Sequence, residues 1–330
     1  MMVLVTGGTG SVGINIVRRL AQAGHSVLCL SRRAAEPDPL RDAFLSAVRD
    51  RVTLVAGDVG RPGDLDRVWE RYQPTHVVHA AAITPTPEME RSMARTIIAA
   101  NLMGTVNILE AAWRGGARRV VYVSSAAVYG ETDEDTTITE DAPLKAQGLY
   151  GITKEASEKL CSCYEDLHGV PTVSLRVGWV YGPMERPMSG SRERMSLVYH
   201  CVRLALANEE IRLLHLDHVR DWLYADDLAR AVAALLVLDR VPHRVYNCAG
   251  HRGYTHRALL ETLQRVVPLR YRQVEDPDRA NVPAILTRRR RGPLSTERLL
   301  ADTAYRPQTD LDEGLRMYAE WVRQAGAQTA

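Results

Sequence analysis

Paired cysteines, long apolar runs and a surplus of one charge are all missing from this sequence. The five cysteines are odd in number and form no Cys-x-x-Cys pair, which indicates reduced thiols and argues against disulfides or a zinc site. Apolar runs fall far short of the ~18 residues that a membrane span requires. The 42 basic and 40 acidic residues nearly balance, so no overall field favours nucleic acid or an anionic membrane. Ten histidines show no His-Glu-x-x-His spacing, and we expect no metal.

We also expect no signal peptide, because the apolar residues of a strand, from Val3 to Val5, stand at the start of the sequence. Together these absences predict a cytoplasmic globular protein with neither nucleic-acid nor membrane partners. The 330 residues, 45% of them hydrophobic, suffice for one large α/β domain or two lobes.

Short Val-rich runs alternate with stretches whose apolar residues recur about every 3.6 positions. The predicted strands are Met2–Thr6, Val27–Leu30, Val52–Ala56, His76–Ala80, Arg119–Ser124 and Thr172–Val177. Because these strands are apolar throughout and do not alternate, they predict a parallel sheet covered by helices on both faces, which is an α/β fold.

The strand–helix alternation weakens after about Gly182, where two irregular blocks begin. Between the blocks, a predicted helix, Asp226–Leu238, and a predicted strand, Arg244–Cys248, return to the sheet. We therefore predict a dinucleotide-binding lobe and a smaller C-terminal lobe, each discontinuous in sequence. The first comprises residues 1–182 and 221–249, and the second comprises residues 183–220 and 250–330.

A glycine-rich stretch, TGGTGSVG at residues 6–13, follows the first predicted strand and opens the first helix. Gly7 permits a tight turn, Gly10 lets the backbone approach a pyrophosphate, and Gly13 allows close helix–sheet packing. The alternative is a plain strand-to-helix turn, because glycines also mark ordinary turns. The position favours nucleotide binding. The other residues expected to line this phosphate site are Thr9, Ser11 and Val12.

Asp58 ends the third predicted strand, in the stretch AGDV. With Val59 beside it, Asp58 is expected to meet the adenine amino group of a bound nucleotide. The alternative for Asp58 is a helix cap.

The second predicted strand, in SVLCLSRR, ends without an acidic residue. In dinucleotide-binding folds this place commonly carries an Asp or Glu that binds the ribose hydroxyls. Here Ser31 is followed by Arg32 and Arg33, which suit a ribose 2′-phosphate that a carboxylate would repel. The alternative is a solvated arginine pair. We predict that NADP(H) is preferred over NAD(H).

Tyr150 and Lys154 are four residues apart and therefore share one helical face. A tyrosine, whose pKa is ordinarily about 10, can exchange protons near neutral pH only if that pKa is lowered. The Lys154 ammonium would favour the phenolate by charge attraction. Ser124 and Ser125 end a predicted strand, where a hydroxyl can hold a substrate oxygen in line with the phenol. Taken singly, Tyr150 is more often a residue of a helix surface, and the Tyr-x-x-x-Lys spacing also occurs by chance.

Further motifs occur in order with these residues: HAAA at 79–82, Asn101, SSAAVYG at 124–130, RDWLYADDLA at 220–229 and YRPQTDLDEGL at 305–315. Over nearly its whole length the chain resembles an extended short-chain dehydrogenase/reductase of the nucleotide-sugar epimerase/dehydratase group. The resemblance implies a Rossmann doubly wound parallel sheet with a smaller C-terminal substrate-binding lobe. It also implies a nicotinamide dinucleotide cofactor and a nucleotide-sugar substrate.

The same resemblance implies roles for single residues. Ser125 would be the catalytic serine, Tyr150 the acid/base, and Lys154 would also bind the nicotinamide ribose. Asn101 would support this set, although a helix-interior hydrogen bond is an equally good explanation for it. The cofactor would also touch Ala80, Ala81, Ala82, Asn101, Ser124 and Val177. In this family the predicted helices Glu88–Trp113 and Tyr150–His168 pair across a twofold axis, so a homodimer with a four-helix bundle is expected.

Two alanines, Ala126 and Ala127, stand where family dehydratases carry an Asp-Glu pair. Alanine transfers no protons, which disfavours elimination chemistry. Hydride transfer at a secondary alcohol or ketone remains. The predicted NADP(H) preference favours a ketoreductase, and the alternative is an epimerase that returns the hydride to the other face. A non-catalytic dinucleotide-sensing protein or a structural dimer is disfavoured by the intact Ser-Tyr-Lys set.

Two features bear on the substrate, and they point in different directions. Trp179 replaces the Asn of the family's RxxNxYGP motif, either as an aromatic wall for a bulkier substrate or as packing between the lobes. Arg220 and the arginine run at 288–291 instead suit a diphosphate, unless the run is only a solvated surface. The predicted substrate contacts are Thr84, Ser125, Ala126, Trp179, Arg220 and Arg289.

Overall fold

The structure is a computed structural model that describes residues 1–187, 195–250, 252–288 and 290–329. In chain order the strands are β1 (Met2–Thr6), β2 (Ser26–Ser31), β3 (Val52–Ala56), β4 (His76–His79), β5 (Arg119–Val123), β6 (Thr172–Val177), β7 (Trp179–Tyr181), β8 (Ile211–Leu213), β9 (Val219–Arg220), β10 (Trp222–Tyr224), β11 (Val245–Cys248), β12 (Tyr254–Thr255) and β13 (Tyr271–Gln273).

The helices, again in chain order, are α1 (Ser11–Gln22), α2 (Pro39–Phe44), α3 (Pro62–Tyr72), α4 (Pro87–Ser92), α5 (Ala94–Ile98), α6 (Gly104–Arg114), α7 (Gly148–His168), α8 (Leu197–Leu206), α9 (Ala225–Val237), α10 (His256–Val266), α11 (Ala284–Arg288), α12 (Glu297–Asp302) and α13 (Leu311–Thr329). A π-helical turn, Ala99–Met103, joins α5 to α6. Three 3₁₀ segments lie at Ser46–Arg51, Ala126–Tyr129 and Pro277–Arg279.

Seven of the strands form one sheet in the order β11-β6-β5-β4-β1-β2-β3. Every neighbouring pair in this sheet is parallel. The chain winds outward from β1 in one direction through β2 and β3, and then in the other direction from β4. The predicted α/β doubly wound parallel sheet is therefore confirmed. A crevice forms where the winding reverses, at the carboxyl ends of β1 and β4.

The apolar strands are buried on both faces, as successive residues of β1 illustrate. Val3 and Val5 belong to one buried cluster, together with residues of α1 and α9. Leu4, between them, belongs to a second cluster with residues of α3 and α6. Because each strand must fill both layers, its sequence is continuously apolar and does not alternate.

The predicted strands match the structure within a residue or so at each end. The single helix predicted at Glu88–Trp113 is wrong, because the segment divides into α4, α5, the π-helical turn and α6. Met93 leaves the helical region at φ −126°, and the π-helical turn contains Asn101, whose side chain binds the backbone of Ile83. Apolar residues keep a spacing near 3.6 across one unwound residue or one widened turn, so the sequence pattern does not reveal these interruptions of the helix.

A further apolar cluster lies away from the sheet and includes Val198, Val202, Leu260 and Leu315. These residues come from the segments that the sequence assigns to the substrate-binding lobe, which stays a prediction. Tyr305, from the same predicted lobe, is instead buried in the cluster that contains β1 and α1. The small strand pairs β7–β10, β9–β12 and β8–β13 accompany this part of the chain.

Within the described ranges, no helix combines the length and the apolar character needed to cross a membrane. All five cysteines are free thiols, and of these Cys163 alone is exposed.

Candidate active site

A cleft of about 530 Å³ opens at the carboxyl ends of the central strands, where the winding of the sheet reverses. The C-terminal part of the chain closes it from the opposite side with Met195, Ser196 and Leu286. A site at this edge of the sheet is the usual place for a dinucleotide in a doubly wound fold.

Most of the side chains singled out in the sequence line this one cleft. They are Gly7, Thr9, Gly10, Ser11, Val12, Gly13, Arg32, Arg33, Asp58, Val59, Ala80, Ala81, Ala82, Thr84, Ser124, Ser125, Tyr150, Lys154, Val177 and Trp179. Asn101, Ala126 and Arg220 lie outside the lining, and Arg289 falls outside the described residues.

The glycine loop has a backbone that side chains would obstruct. Gly7 has a φ of +65°, and a Cβ there would lie 2.7 Å from the Cα of Ala81. The Gly10 N–H donates to the Gly7 carbonyl at 2.9 Å, and a Cβ on Gly13 would collide with the same carbonyl oxygen. Helix α1 then begins at Ser11 without a side-chain cap or an acidic first turn. Its first N–H groups therefore suit a pyrophosphate, and the loop fits a dinucleotide.

Ser31 ends β2 at the opening of the cleft and is held from two directions. Its hydroxyl bonds to the Thr9 hydroxyl at 2.6 Å and accepts from the Arg33 N–H at 3.2 Å. The Arg33 guanidinium lies 4.0 Å from the Glu36 carboxylate. Arg32 is exposed and has no hydrogen bond or ion pair to any residue that the structure describes. One cation thus stands at the cleft wall without a carboxylate partner there.

Asp58 lines the cleft and also makes a local turn. One oxygen of its carboxylate accepts from the Gly60 N–H at 2.8 Å. The helix-cap alternative for Asp58 is wrong, because α3 begins at Pro62 after Arg61 and has no side-chain cap. Its place in the cleft lining is compatible with the predicted ligand contact.

Tyr150 and Lys154 lie in the first turns of α7, against the end of β5. The Lys154 side chain is buried and its Nζ donates to the Val123 carbonyl at 2.6 Å. This Nζ lies 5.7 Å from the centre of the Tyr150 ring. Burial lowers the pKa of Lys154 to about 8, against a smaller opposing effect of Glu158. The Ser125 hydroxyl, on the strand end opposite, accepts from the Ala127 N–H at 3.1 Å.

Asn101 supports the cleft from behind its wall. Its Oδ1 accepts from the Ile83 N–H at 2.7 Å, and its Nδ2 donates to the Ile83 carbonyl at 2.9 Å. Ile83 in turn lines the cleft. Both bonds run to a backbone 18 residues earlier in the chain, so they fit the expected supporting role and not the alternative of a helix-interior hydrogen bond. Asn101 itself is not part of the cleft lining.

Trp179 divides the cleft from the arginines behind it. The Arg220 guanidinium lies 4.8 Å and the Arg291 guanidinium 5.2 Å from the Trp179 ring centre. The Arg220 side chain is fully buried, 3.4 Å from the Glu134 carboxylate. Trp179 also borders a second cavity of about 20 Å³ on the side of Arg291. The indole therefore covers the cations that the sequence assigned to a diphosphate.

Two carboxylates that hold α7 were not predicted from the sequence. Glu90 of α4 accepts from the Tyr150 N–H at 3.4 Å, and Glu158 binds Arg176 and Ser124 inside the protein. Glu158 stands four residues beyond Lys154, a spacing that could have drawn attention to it. Met195 and Leu286 reach the cleft from distant segments, and no local sequence pattern predicts their position there.

Fold and site together define an enzyme of the extended short-chain dehydrogenase/reductase class. A family model described as the NAD dependent epimerase/dehydratase family matches residues 3–249, and the chain belongs to this family.

Individual relatives cover most of the chain. The UDP-glucose 4-epimerase of Azospirillum brasilense is 30% identical over 280 residues, which are 80% of this chain and 77% of that protein. A dTDP-glucose 4,6-dehydratase of Xanthomonas campestris is 27% identical over 96% of this chain and 92% of its own length. The solved UDP-glucose 4-epimerase of Thermus thermophilus, in complex with NAD, has a TM-score of 0.81 and is 28% identical over 98% of this chain and 100% of that chain.

Proposed function

We propose that the protein is a nucleotide-sugar epimerase that inverts a secondary-alcohol carbon while retaining a bound nicotinamide dinucleotide. This corresponds to the alternative derived from the sequence, and it takes precedence over the ketoreductase because relatives named as 4-epimerases match 97% and 80% of the chain. Dehydratases are also among the relatives. The choice between these two reactions depends on the site.

The observation that carries the proposal is a cleft that holds a hydride-transfer triad and that has, among the residues the structure describes, no acid–base pair for elimination directly after Ser125. Ser125, Tyr150 and Lys154 all line it. The two positions after Ser125 hold Ala126, which is fully buried, and Ala127. Loss of water needs a further proton donor and acceptor beside the sugar, and alanines supply neither.

The chain's own residues then have simple tasks. When bound, the dinucleotide would supply the group that takes up a hydride and gives it back. Tyr150 would remove the proton of the reacting hydroxyl and return it later, while the Ser125 hydroxyl holds the same oxygen. The Lys154 ammonium favours the phenolate form of Tyr150 by charge attraction. Met195, Trp179 and Leu286 would shield the reacting carbon from water.

The test is to incubate the purified protein with UDP-glucose, UDP-glucuronate and their dTDP counterparts, without added dinucleotide, and to identify the sugars by NMR. We expect the 4-epimer of at least one of them to form. The Tyr150→Phe variant is the matched control, because it loses only the phenolic hydroxyl and should be slower by about two to four orders of magnitude. Net consumption of added NADPH, with no epimer, would instead support the ketoreductase and overturn the proposal.

For the substrate, a nucleotide sugar remains the proposal, with Thr84, Trp179, Arg220 and Arg289 as candidate contacts. The first two line the cleft, whereas Arg220 lies behind Trp179. Movement of the indole would be needed before Arg220 could meet a diphosphate.

For the cofactor, we propose that NADP(H) binds more tightly than NAD(H). Ser31 gives the adenosine end no carboxylate to repel a 2′-phosphate, and Arg32 stands exposed at the cleft wall. One charge-assisted contact contributes roughly 1.5–3 kcal/mol, so losing it should weaken binding about ten- to a hundredfold.

Titration of both dinucleotides against the wild type and a Ser31→Asp/Arg32→Ala variant checks this proposal. We expect the variant to prefer NAD(H), because the new carboxylate accepts from both ribose hydroxyls. Higher salt should narrow the wild-type difference. Equal binding of NAD(H) and NADP(H) by the wild type, or NAD carried through purification, would show that the arginines are surface charge only.

We further propose a cytoplasmic homodimer, joined through a four-helix bundle. Apolar side chains face outward on α5, the π-helical turn and α7, where Ile98, Met103 and Ile152 are 39%, 48% and 51% exposed. A twofold axis beside these helices would bury them. The free thiols of all five cysteines suit a reducing compartment.

A further inference from the structure

A buried ion pair lies directly behind the active-site wall, one helical turn beyond Lys154. The carboxylate of Glu158 on α7 is bound by Arg176 of β6, with Nε at 3.0 Å and the terminal nitrogen at 2.8 Å from the same oxygen. Both side chains are about 95% buried, with exposed fractions of 5% and 6%. The Ser124 hydroxyl donates to the other carboxylate oxygen at 2.5 Å.

Stability alone is a weak explanation for such a pair. Removing two charges from water costs about as much as their attraction returns, and apolar replacements of similar volume are often neutral or stabilising. A buried, fully hydrogen-bonded pair does, however, impose one geometry on the elements that carry it.

The geometry in question is the position of α7 against the end of β5. Lys154 donates to the Val123 carbonyl, and Glu158, one turn further along α7, accepts from the next residue, Ser124. Two successive residues of the strand are therefore held by two successive turns of the helix. The residue after Ser124 is Ser125, and Tyr150 precedes Lys154 by one turn. The same two contacts therefore join the segments that carry Ser125 and Tyr150.

Glu158 also contributes the charge that Lys154 senses. The titratable groups facing Lys154 from β4, β5 and α7 are His79, Tyr122, Cys161, Tyr150 and Glu158. Burial lowers the pKa of His79 to about 3, raises that of Cys161 to about 12 and raises that of Tyr122 well above its ordinary value. These three groups are neutral between about pH 6 and pH 9. Tyr150 aside, this leaves the Glu158 carboxylate, itself paired with Arg176, as the ionic group of this set.

We propose that Glu158 is a positioning residue: anchored by Arg176, it holds Ser124 and so aligns Ser125 with Tyr150, and its charge keeps Lys154 cationic. The inference rests on the proposed function only for its activity readout, because the charge on Lys154 can be measured directly.

The chain offers a clean probe of that charge, since it contains three lysines, Lys145, Lys154 and Lys159. Labelling lysine with ¹³C at Cε yields three NMR signals whose shifts follow protonation, and Lys154→Met identifies the signal of interest. In Glu158→Gln we expect the Lys154 midpoint to fall by about one pH unit. Glu155→Gln is the matched control: it removes a charge from the same helix, but one that pairs with Lys159 Nζ at 2.7 Å. It should leave the Lys154 midpoint unchanged.

Ser124→Ala separates the positioning role from the electrostatic one. It removes the hydroxyl that Glu158 accepts from, and it keeps the carboxylate. We expect an unchanged Lys154 midpoint and a kcat lower by about tenfold, because the strand end carrying Ser125 is released. In Glu158→Gln the alkaline limb of kcat should move to lower pH by the same amount as the Lys154 midpoint.

The outcomes are distinct. If Glu158→Gln fails to fold, the double variant Glu158→Gln/Arg176→Met removes both buried charges and permits the same titration. An unshifted Lys154 midpoint in the folded variant, or wild-type turnover in Ser124→Ala, overturns the proposal. If no nucleotide sugar is epimerised, the proposed function fails while the lysine titration still decides the charge on Lys154.

Discussion

The Lys154 side chain is buried, and this sets a limit on activity at high pH. Its pKa is lowered by burial from the ordinary lysine value to about 8. The side chain is charged below that pH and neutral above it, and only the charged form favours the Tyr150 phenolate. We expect kcat to fall as the pH rises through about 8, measured between about pH 6 and pH 10 at constant ionic strength. A rate that still increases at pH 10 would contradict this assignment.

The Trp179 side chain controls whether a substrate in the cleft can reach the arginines behind it. The indole lies between the cleft and Arg220, and Arg291 packs against the same ring. Trp179→Asn should expose both guanidinium groups and lower KM for nucleotide diphosphate sugars, with a smaller effect on kcat. Trp179→Phe, which keeps an aromatic ring there, is the control. If KM rises equally in both variants, the indole is itself part of the nucleotide-sugar site.

The glycine loop packs so closely against the start of α1 that no side chain fits between them. A Cβ on Gly13 would collide with the Gly7 carbonyl oxygen. Gly13→Ala should therefore displace the loop, weaken dinucleotide binding and lower the free energy of unfolding by about 1–3 kcal/mol. Gly63→Ala in α3 is the control, since its Cβ would meet only the end of Arg67 at 3.9 Å. Calorimetry and dinucleotide titration should separate the two variants, and equal behaviour would contradict the crowding argument.

Assembly belongs to the scale of the whole molecule. Ile98 and Ile152 are exposed on α5 and α7, which contact each other. Light scattering at micromolar concentration should report a dimer, and Ile98→Glu/Ile152→Glu should shift it to the monomer, because charges in an apolar interface core are costly. Val237→Glu, at an exposed apolar residue that ends α9, is the control and should remain dimeric. A monomeric wild type would count against the bundle.

Sequence alone was sufficient for the sheet, the glycine loop and the Tyr150–Lys154 pair. Each depends on local chemistry: apolar runs with no polar alternation must be covered on both faces, glycines permit a backbone that side chains obstruct, and residues four apart share a helical face. The resemblance of the ordered motifs to a known family then added the enzyme class. The preference for NADP(H), which the sequence suggested through Arg32 and Arg33, remains a prediction.

Only the tertiary structure showed which residues hold the reacting groups in place and which cover them. Glu158 and Arg176 are 18 positions apart, yet they meet because α7 packs on β6. Met195 and Leu286 reach the cleft from segments with no motif. Trp179 covers Arg220 because β7 pairs with β10, the strand that begins two residues after Arg220. Such contacts arise from how elements pack, and packing joins residues whose separation along the chain carries no periodic signal. For this reason the reacting groups and Trp179 could be named from the sequence, whereas the Glu158–Arg176 pair, Met195 and Leu286 were not.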